Sequence, residues 1–135
     1  MAKILILIGG HLCTAPRPQK EAAAFAAALE DDARAVGREA EFDALYYRMG
    51  GVSAAAIAAA GAGDWAEFAE QLNAYQPLMA ELGVSDETLD GLIETARTTD
   101  GTQAAKISGS GLGDCVLAVG ARPEGFRAAE LAHEG

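Results

Sequence analysis

The sequence predicts an α+β domain in which helices pack on one face of a four-stranded antiparallel sheet. An apolar strand stands near the N-terminus, amphipathic helices fill the middle of the chain, and three short strands follow around a glycine-rich turn. Strands grouped apart from helices are typical of an antiparallel sheet covered by helices. The chain has 135 residues, and we expect residues 1–135 to form a single domain with its own core.

The first strand is predicted at residues 4–8, a continuous apolar run that ends at Gly9. Such a run is typical of a strand buried on both faces, so we expect it in the centre of the sheet. Residues 19–36 then repeat apolar side chains at helical spacing, which predicts a helix. Gly37 is placed to end this helix as a left-handed cap.

Two helical segments are predicted at residues 42–49 and 52–60, because Gly50 and Gly51 interrupt the pattern between them. Glycine is unfavourable inside a helix, and two in succession predict a break. A turn at residues 61–63 then separates these segments from the next helix.

Capping residues mark the next two helices. Asp64 is predicted as the N-cap of a helix over residues 65–82, where apolar side chains recur every three or four positions. Pro77 lacks the N–H that a helix interior needs, so we expect a kink or restart there. Gly83 closes this segment, and Ser85 is predicted to cap the following helix.

The last third of the chain predicts a hairpin and a further segment. Strands at residues 106–108 and 116–119 flank the glycine-rich turn. The composition of residues 126–132 suits either a helix or a strand, and both remain open from the residues alone.

The glycine-rich turn places glycine at positions 109, 111 and 113. Glycine permits positive φ and the close approach of another group to the backbone. The turn is neither a dinucleotide fingerprint nor a Walker A loop, because it opens a strand, Asp114 replaces the third glycine, and no Gly-Lys-Ser/Thr follows. Asp114 would also repel a bare phosphate. A tight structural hairpin and an anion-facing turn therefore both remain open.

Composition excludes several classes of function. Ten Lys and Arg against 20 Asp and Glu give a net charge of −10, which argues against nucleic-acid and anionic-membrane partners. No apolar run approaches the roughly 18 residues of a membrane span. His11 and His133 are isolated, and Cys13 and Cys115 form no metal-binding pattern. We expect no metal site, reduced thiols and a cytoplasmic protein.

The segment from Lys106 to Cys115 resembles the third motif of the GHMP kinases in its mevalonate kinase form, approximately Lys-Leu-Thr-Gly-Ala-Gly-Gly-Gly-Gly-Cys. The segment from Gln71 to Ser85 resembles a second stretch of that family, Met-Asn-x-x-Gln-x-Leu-Leu-x-x-Leu-Gly-Val-Ser, in the right order and at a suitable distance. In the glycine motif the identical positions are Lys106, Gly109, Gly111, Gly113 and Cys115, and the departures are Ser110, Leu112 and Asp114.

The resemblance covers nearly all of this chain but only the C-terminal domain of such a kinase. It implies a ferredoxin-like sheet, a closing strand at residues 126–132, and the transfer of a phosphoryl group from ATP to an alcohol such as mevalonate, a step of isoprenoid biosynthesis. The family's N-terminal domain carries the Ser-Ser-Ala phosphate loop and the catalytic Asp and Lys, and no such loop occurs in this sequence. We therefore expect the N-terminal ATP-binding domain, with most contacts to ATP and Mg²⁺, to be a partner of this chain.

The resemblance assigns no catalytic residue to this chain, and no activity or strong nucleotide binding is expected of it alone. Its implied role is to close the cleft beside the phosphates with backbone amides and hydroxyls. The residues with this implied role are Ser108, Gly109, Ser110, Gly111, Leu112, Gly113 and Asp114.

Other functions and acceptors remain open. Galactokinase, homoserine kinase and phosphomevalonate kinase relatives share the implied chemistry, so the acceptor is not fixed. A non-catalytic small-ligand or oligomerisation module, or a purely structural assembly domain, would use the same fold. A homodimer is also expected, with its contact near residues 4–13 or at the Leu112 turn, unless Leu112 folds back onto its own sheet.

Overall fold

In the described part of the chain the sheet has four antiparallel strands in the order β2-β3-β1-β4. In this computed structural model the described residues are 6–9, 27, 28, 31, 37–109, 111, 112 and 115–129. The first strand lies between β3 and β4, which confirms its central position; residues 4 and 5 of the predicted strand lie outside the described residues. The strands are β1 (Ile6–Gly9), β2 (Thr102–Ser108), β3 (Cys115–Gly120) and β4 (Phe126–Ala129).

Three helices connect β1 to the rest of the sheet in the described part of the chain: α1 (Glu39–Ala62), α2 (Trp65–Leu82) and α3 (Glu87–Thr98). None of them is long and apolar enough to cross a membrane. Most of the helix predicted at residues 19–36 lies outside the described residues, although positions 27, 28 and 31 are helical. Gly37 has a φ of 74°, as expected for a left-handed cap.

Helix α1 is continuous over 24 residues, so the break predicted at Gly50 and Gly51 is wrong. Tertiary packing explains the difference, because Met49 and Ala56 are buried on either side of the glycines and Val52 packs against the same core. These positions repeat every three or four residues and keep one apolar stripe in register along α2. Burial of that stripe outweighs the low helix propensity of two exposed glycines.

We expect Gly50→Ala and Gly51→Ala each to stabilise the protein by about 0.5–1 kcal/mol. A Cβ at either position would meet nothing within 4 Å, and neither residue has a positive φ. The free energy of unfolding in urea measures the effect. Gly63→Ala is the control, since Gly63 is equally open but has a φ of +72°, so it should destabilise. Loss of stability in both helix variants would contradict the continuous helix.

Helix α2 is also continuous through Pro77, so the predicted restart is wrong, and the kink stays a prediction. Proline leaves the carbonyl of Asn73 without its usual intrahelical donor. In the structure that oxygen accepts a long hydrogen bond from Nη2 of Arg97, at 3.5 Å. A side chain of α3 therefore takes the place of the missing helical hydrogen bond.

The capping predictions are confirmed except for one. Asp64 accepts a hydrogen bond from the amide of Glu67, and Gly83 is left-handed with a φ of 85°. The cap of α3 is Asp86 rather than Ser85, because the Asp86 carboxylate accepts from the amide of Leu89 at 2.8 Å. Two adjacent residues with capping side chains made this boundary ambiguous by one position.

Helices α2 and α3 cover the β2 side of the sheet in different ways. Neighbouring residues of a strand point to opposite faces. Ala105 belongs to the main core with α3, whereas Ala104 packs with Ala69 of α2 and with Val119. Helix α2 therefore also reaches the second face, and the expectation that helices pack on one face is corrected here. The main core consists of Leu45, Met49, Leu78, Met79, Val84, Leu89, Ile93, Ala96, Ala105, Ile107, Val116, Ala118 and Phe126.

Candidate functional site

The loop between β2 and β3 is the candidate site, and its described residues are left-handed. Gly109 has a φ of 81°, Gly111 of 84° and Leu112 of 52°. Leu112 is the sole non-glycine residue with positive φ in the described ranges, and this conformation costs about 1–2 kcal/mol in a residue with a Cβ. The loop is thus a strained, tightly turned connection between the two strands.

Gly111 is pressed against the turn that joins α2 to α3. A Cβ at position 111 would lie 2.2 Å from the carbonyl oxygen of Val84. The same oxygen accepts a hydrogen bond of 2.9 Å from the amide of Leu112. The close approach that the glycines predicted is therefore made, at this position, by the protein's own backbone.

The side chain of Leu112 is half-buried and packs against the main core. It folds back onto its own domain, which was one of the two alternatives for this residue. The structure therefore gives no reason for a dimer contact at the Leu112 turn. The other proposed contact, residues 4–13, lies almost entirely outside the described residues, and the homodimer stays a prediction.

The remaining loop residues divide into two groups. Ser108 is half-buried at the end of β2, and Gly109 is exposed. Ser110, Gly113 and Asp114 lie outside the described residues. The role assigned to the whole loop in closing a phosphate cleft stays a prediction.

Side chains from two helices cover the outer edge of β2, next to the loop. Asn73 donates to the carbonyl of Gln103 at 2.9 Å and accepts from the amide of Ala105 at 3.1 Å. Gln76, which is only 6% exposed, accepts from the amide of Ile107 at 2.8 Å. An edge strand presents unpaired backbone groups that must be covered or solvated. Helix α2 pairs these groups and thereby fixes the strand that carries the loop.

Arg97 of α3 completes this edge. Its Nη2 donates to the carbonyl of Ala105 at 3.0 Å and reaches the Asn73 carbonyl left free by Pro77. The sequence did not predict this role of Arg97. The contact depends on how close α3 lies to β2, and only the fold determines that distance. Asn73 and Gln76 could have been identified from the sequence, because they match the Asn and the Gln of the family stretch Met-Asn-x-x-Gln quoted above.

Lys106 lies near the end of β2, two residues before Ser108, and its side chain is half-buried. Its ammonium donates a hydrogen bond to the carbonyl of Ile107 and lies 5.0 Å from the centroid of the Tyr75 ring. Burial removes water from the charged form and lowers the pKa of Lys106 below its ordinary value of 10.5. The charged ammonium therefore loses solvation free energy in the folded protein, and its contact with the Tyr75 ring offsets part of that loss.

Lys106 and Gly109 line a cleft of about 330 Å³ between α1, α2 and β2. We call it the Lys106 cleft. Its walls are formed by Val52, Ser53, Ala56, Ile57, Gln71, Leu72, Tyr75, Lys106 and Gly109. No carboxylate is among these residues, and no group of three His, Cys, Asp or Glu that could hold a metal ion occurs in the described part of the chain.

We expect the stability of the wild type to rise relative to Lys106→Met as pH increases toward 10.5. With its pKa lowered on folding, Lys106 binds fewer protons in the folded than in the unfolded state just below pH 10.5, so stability increases with pH in that window. Urea unfolding of both proteins at pH 7.5 and 9.5 measures the difference. Other titrating groups cancel between the two proteins, and a difference that stays constant or falls would contradict the burial of this charge.

Cys115 begins β3 and is disulfide-bonded. This corrects the expectation of reduced thiols. Cys13 is the chain's other cysteine and lies outside the described residues. Cysteine count and the absence of a local Cys pattern predicted the wrong state, because pairing depends on distances that the fold sets.

Comparison with known proteins supports the resemblance. The family described as GHMP kinases C terminal matches residues 54–133. Among solved structures, the crystal structure of L. major mevalonate kinase in complex with R-mevalonate matches with a TM-score of 0.72 and 23% identity. That match covers 88% of this chain and 34% of the other, so this chain spans about a third of that kinase. A search of curated proteins found no match.

The structural match at this identity shows a shared fold, whereas the family match extends over more than half of the chain. The glycine-rich hairpin and the Asn73–Gln76 edge both lie within the matched region. The chain therefore belongs to the GHMP kinase family, as a C-terminal domain of that family.

Proposed function

We propose that this chain supplies the C-terminal half of an ATP-dependent kinase that phosphorylates a small alcohol, with mevalonate as the acceptor. The observation that carries the proposal is the left-handed hairpin loop, fixed against Val84 within a domain of this family. The mevalonate form of its sequence and the likeness to a mevalonate kinase support the choice of acceptor.

In the proposed reaction the acceptor oxygen attacks the γ-phosphorus of ATP, and the bond to the β,γ-bridging oxygen breaks to release ADP. The proton of the alcohol passes to a base of the partner domain. Such transfer depends mainly on positioning and on neutralising charge around the transferred group. Mg²⁺ bound with ATP supplies part of that neutralisation. This chain's residues position the loop and exclude water.

The loop residues have a closing role in this proposal. The backbone of Gly109 is exposed at the start of the turn, where its amide can face an anion. The Leu112 amide is already bonded to Val84 and therefore holds the loop in place. The full set with the proposed role is Ser108, Gly109, Ser110, Gly111, Leu112, Gly113 and Asp114.

The partner in this proposal is a domain with the Ser-Ser-Ala phosphate loop, either in the same polypeptide or in a separate chain. The 135-residue sequence contains no such loop, and it corresponds to about a third of the matched kinase. We further infer a ferredoxin-like sheet, consistent with the strand order β2-β3-β1-β4, and a place in isoprenoid biosynthesis.

We expect this chain, purified alone, to show no phosphorylation of R-mevalonate above background. Because the phosphate loop and the catalytic Asp and Lys are assigned to the partner, binding and catalysis are both incomplete without it. The assay follows ³¹P NMR signals of ATP, ADP and phosphorylated product in the presence of Mg²⁺. A reproducible rate that disappears in Asp114→Asn would overturn this division of labour.

The alternative function is a non-catalytic ligand-binding or oligomerisation module. The coding sequence on either side of this segment separates the two, because the kinase requires a Ser-Ser-Ala phosphate loop encoded there or in a stably associated chain. Absence of both would favour the module. Sedimentation equilibrium of the chain tests the proposed homodimer in the same preparation.

A further inference from the structure

The Lys106 cleft combines apolar walls with a single cation. Val52, Ala56 and Ile57 of α1 line it together with Leu72 and Tyr75 of α2, and Lys106 of β2 is the one charged residue among the described residues of its lining. A volume of about 330 Å³ is at the small end of the range of ~300–1,000 Å³ found for ligand pockets. The walls suit a short apolar body rather than a sugar or a nucleotide.

The charge of Lys106 is poorly compensated within the cleft. Among the residues that the structure describes, no carboxylate lines the cleft, although the chain carries a net charge of −10. The described partners of the ammonium are one carbonyl oxygen and the face of Tyr75, while an ammonium has three donors. A half-buried cation with spare donors is stabilised by an anion more strongly than an exposed lysine is.

We propose that the Lys106 cleft binds a small amphiphilic anion, with its carboxylate or phosphate head on Lys106 and its apolar chain between α1 and α2. This site goes beyond phosphoryl transfer and needs no nucleotide. Its occupant lies against Gly109 at the base of the hairpin loop, because Gly109 lines the same cleft. The ligand class is a short-chain acid or its phosphate counterpart.

Isothermal titration calorimetry with four probes tests this site on the full chain. Octanoate and octyl phosphate carry both chemical features, 1-octanol carries only the chain, and inorganic phosphate carries only the charge. We expect at least one of the two amphiphiles to bind about tenfold or more tightly than both single-feature probes. The preferred amphiphile distinguishes a carboxylate from a phosphate head group. Equal affinity for octanol and both amphiphiles, or no binding of either amphiphile, would overturn the proposal.

Two pairs of variants separate the site from general effects. Lys106→Met should weaken binding by about tenfold or more, and Lys106→Arg should retain it. Ile57 is 73% exposed at the cleft, so Ile57→Glu should leave the fold intact and weaken anion binding by repulsion. Ala58→Glu adds the same charge one residue along α1, outside the lining, and should have the smaller effect. Unchanged affinity in Lys106→Met, or equal loss in the two glutamate variants, would contradict the proposed anchor.

Discussion

Replacing Gly111 with alanine is expected to destabilise the protein by about 2–4 kcal/mol. Two causes add at this position. The φ of +84° is unfavourable for a residue with a side chain, and the new Cβ would lie 2.2 Å from the carbonyl oxygen of Val84. Relief of this clash requires the loop to move away from the α2–α3 turn and to break the hydrogen bond from Leu112 to Val84.

Gly125→Ala is the matched control for this prediction. Gly125 has a φ of +82°, and a Cβ added there would meet nothing within 4 Å, so its replacement carries the backbone strain alone, about 1–2 kcal/mol. Urea unfolding of both variants gives the difference between them. Equal destabilisation would show that the contact with Val84 does not constrain the loop.

Replacing Gln76 with leucine is expected to cost about 1–3 kcal/mol, because it leaves the buried amide of Ile107 without an acceptor. Gln76 is 6% exposed and accepts that hydrogen bond at 2.8 Å. Leucine has a similar size, so the loss reflects the hydrogen bond more than a cavity. Hydrogen exchange should also quicken at Ile107, next to the loop.

Gln71→Leu provides the control on the same helix. Gln71 donates to the side chain of Glu67, and both groups can turn to water when the bond is removed. We expect a change within about 0.5 kcal/mol for this variant. If the two substitutions cost the same, the edge of β2 does not depend on Gln76.

The sequence predicted helix ends best, because a single residue there determines the local backbone conformation. Asp64 and Gly83 were placed correctly, since capping and left-handed conformations are properties of single residues and their neighbours. The glycine-rich turn was likewise identified as a hairpin between two strands.

The errors arose where tertiary contacts outweigh local preference. Gly50 and Gly51 remain helical because the apolar stripe through Met49 and Val52 is buried along α2. Pro77 remains inside a helix because Arg97, from another element, reaches the freed carbonyl. Neither contact can be predicted from helix propensity, which describes a residue without its tertiary neighbours.

The sequence predicted where the loop lies between two strands, but not the contacts that hold it; the role of the loop as a site stays a prediction. The motif located the loop, whereas the roles of Val84 and Arg97 depend on how distant segments meet. The folding of Leu112 back onto the core also required the fold, because its exposed and packed alternatives were equal from the residues alone. The sequence did not predict the Lys106 cleft, because its only visible feature there is one lysine on a predicted strand.

The central claim is tested most directly by assaying the native protein that contains this segment, isolated with its associated chains through an antibody to residues 54–133. The assay measures ATP-dependent phosphorylation of R-mevalonate, with homoserine and galactose as competing acceptors, by ³¹P NMR. We predict transfer of the γ-phosphoryl group to R-mevalonate in preference to the other alcohols, together with a Ser-Ser-Ala phosphate loop in the isolated material. A preparation without that loop that phosphorylates none of these alcohols would contradict the kinase function proposed for this domain.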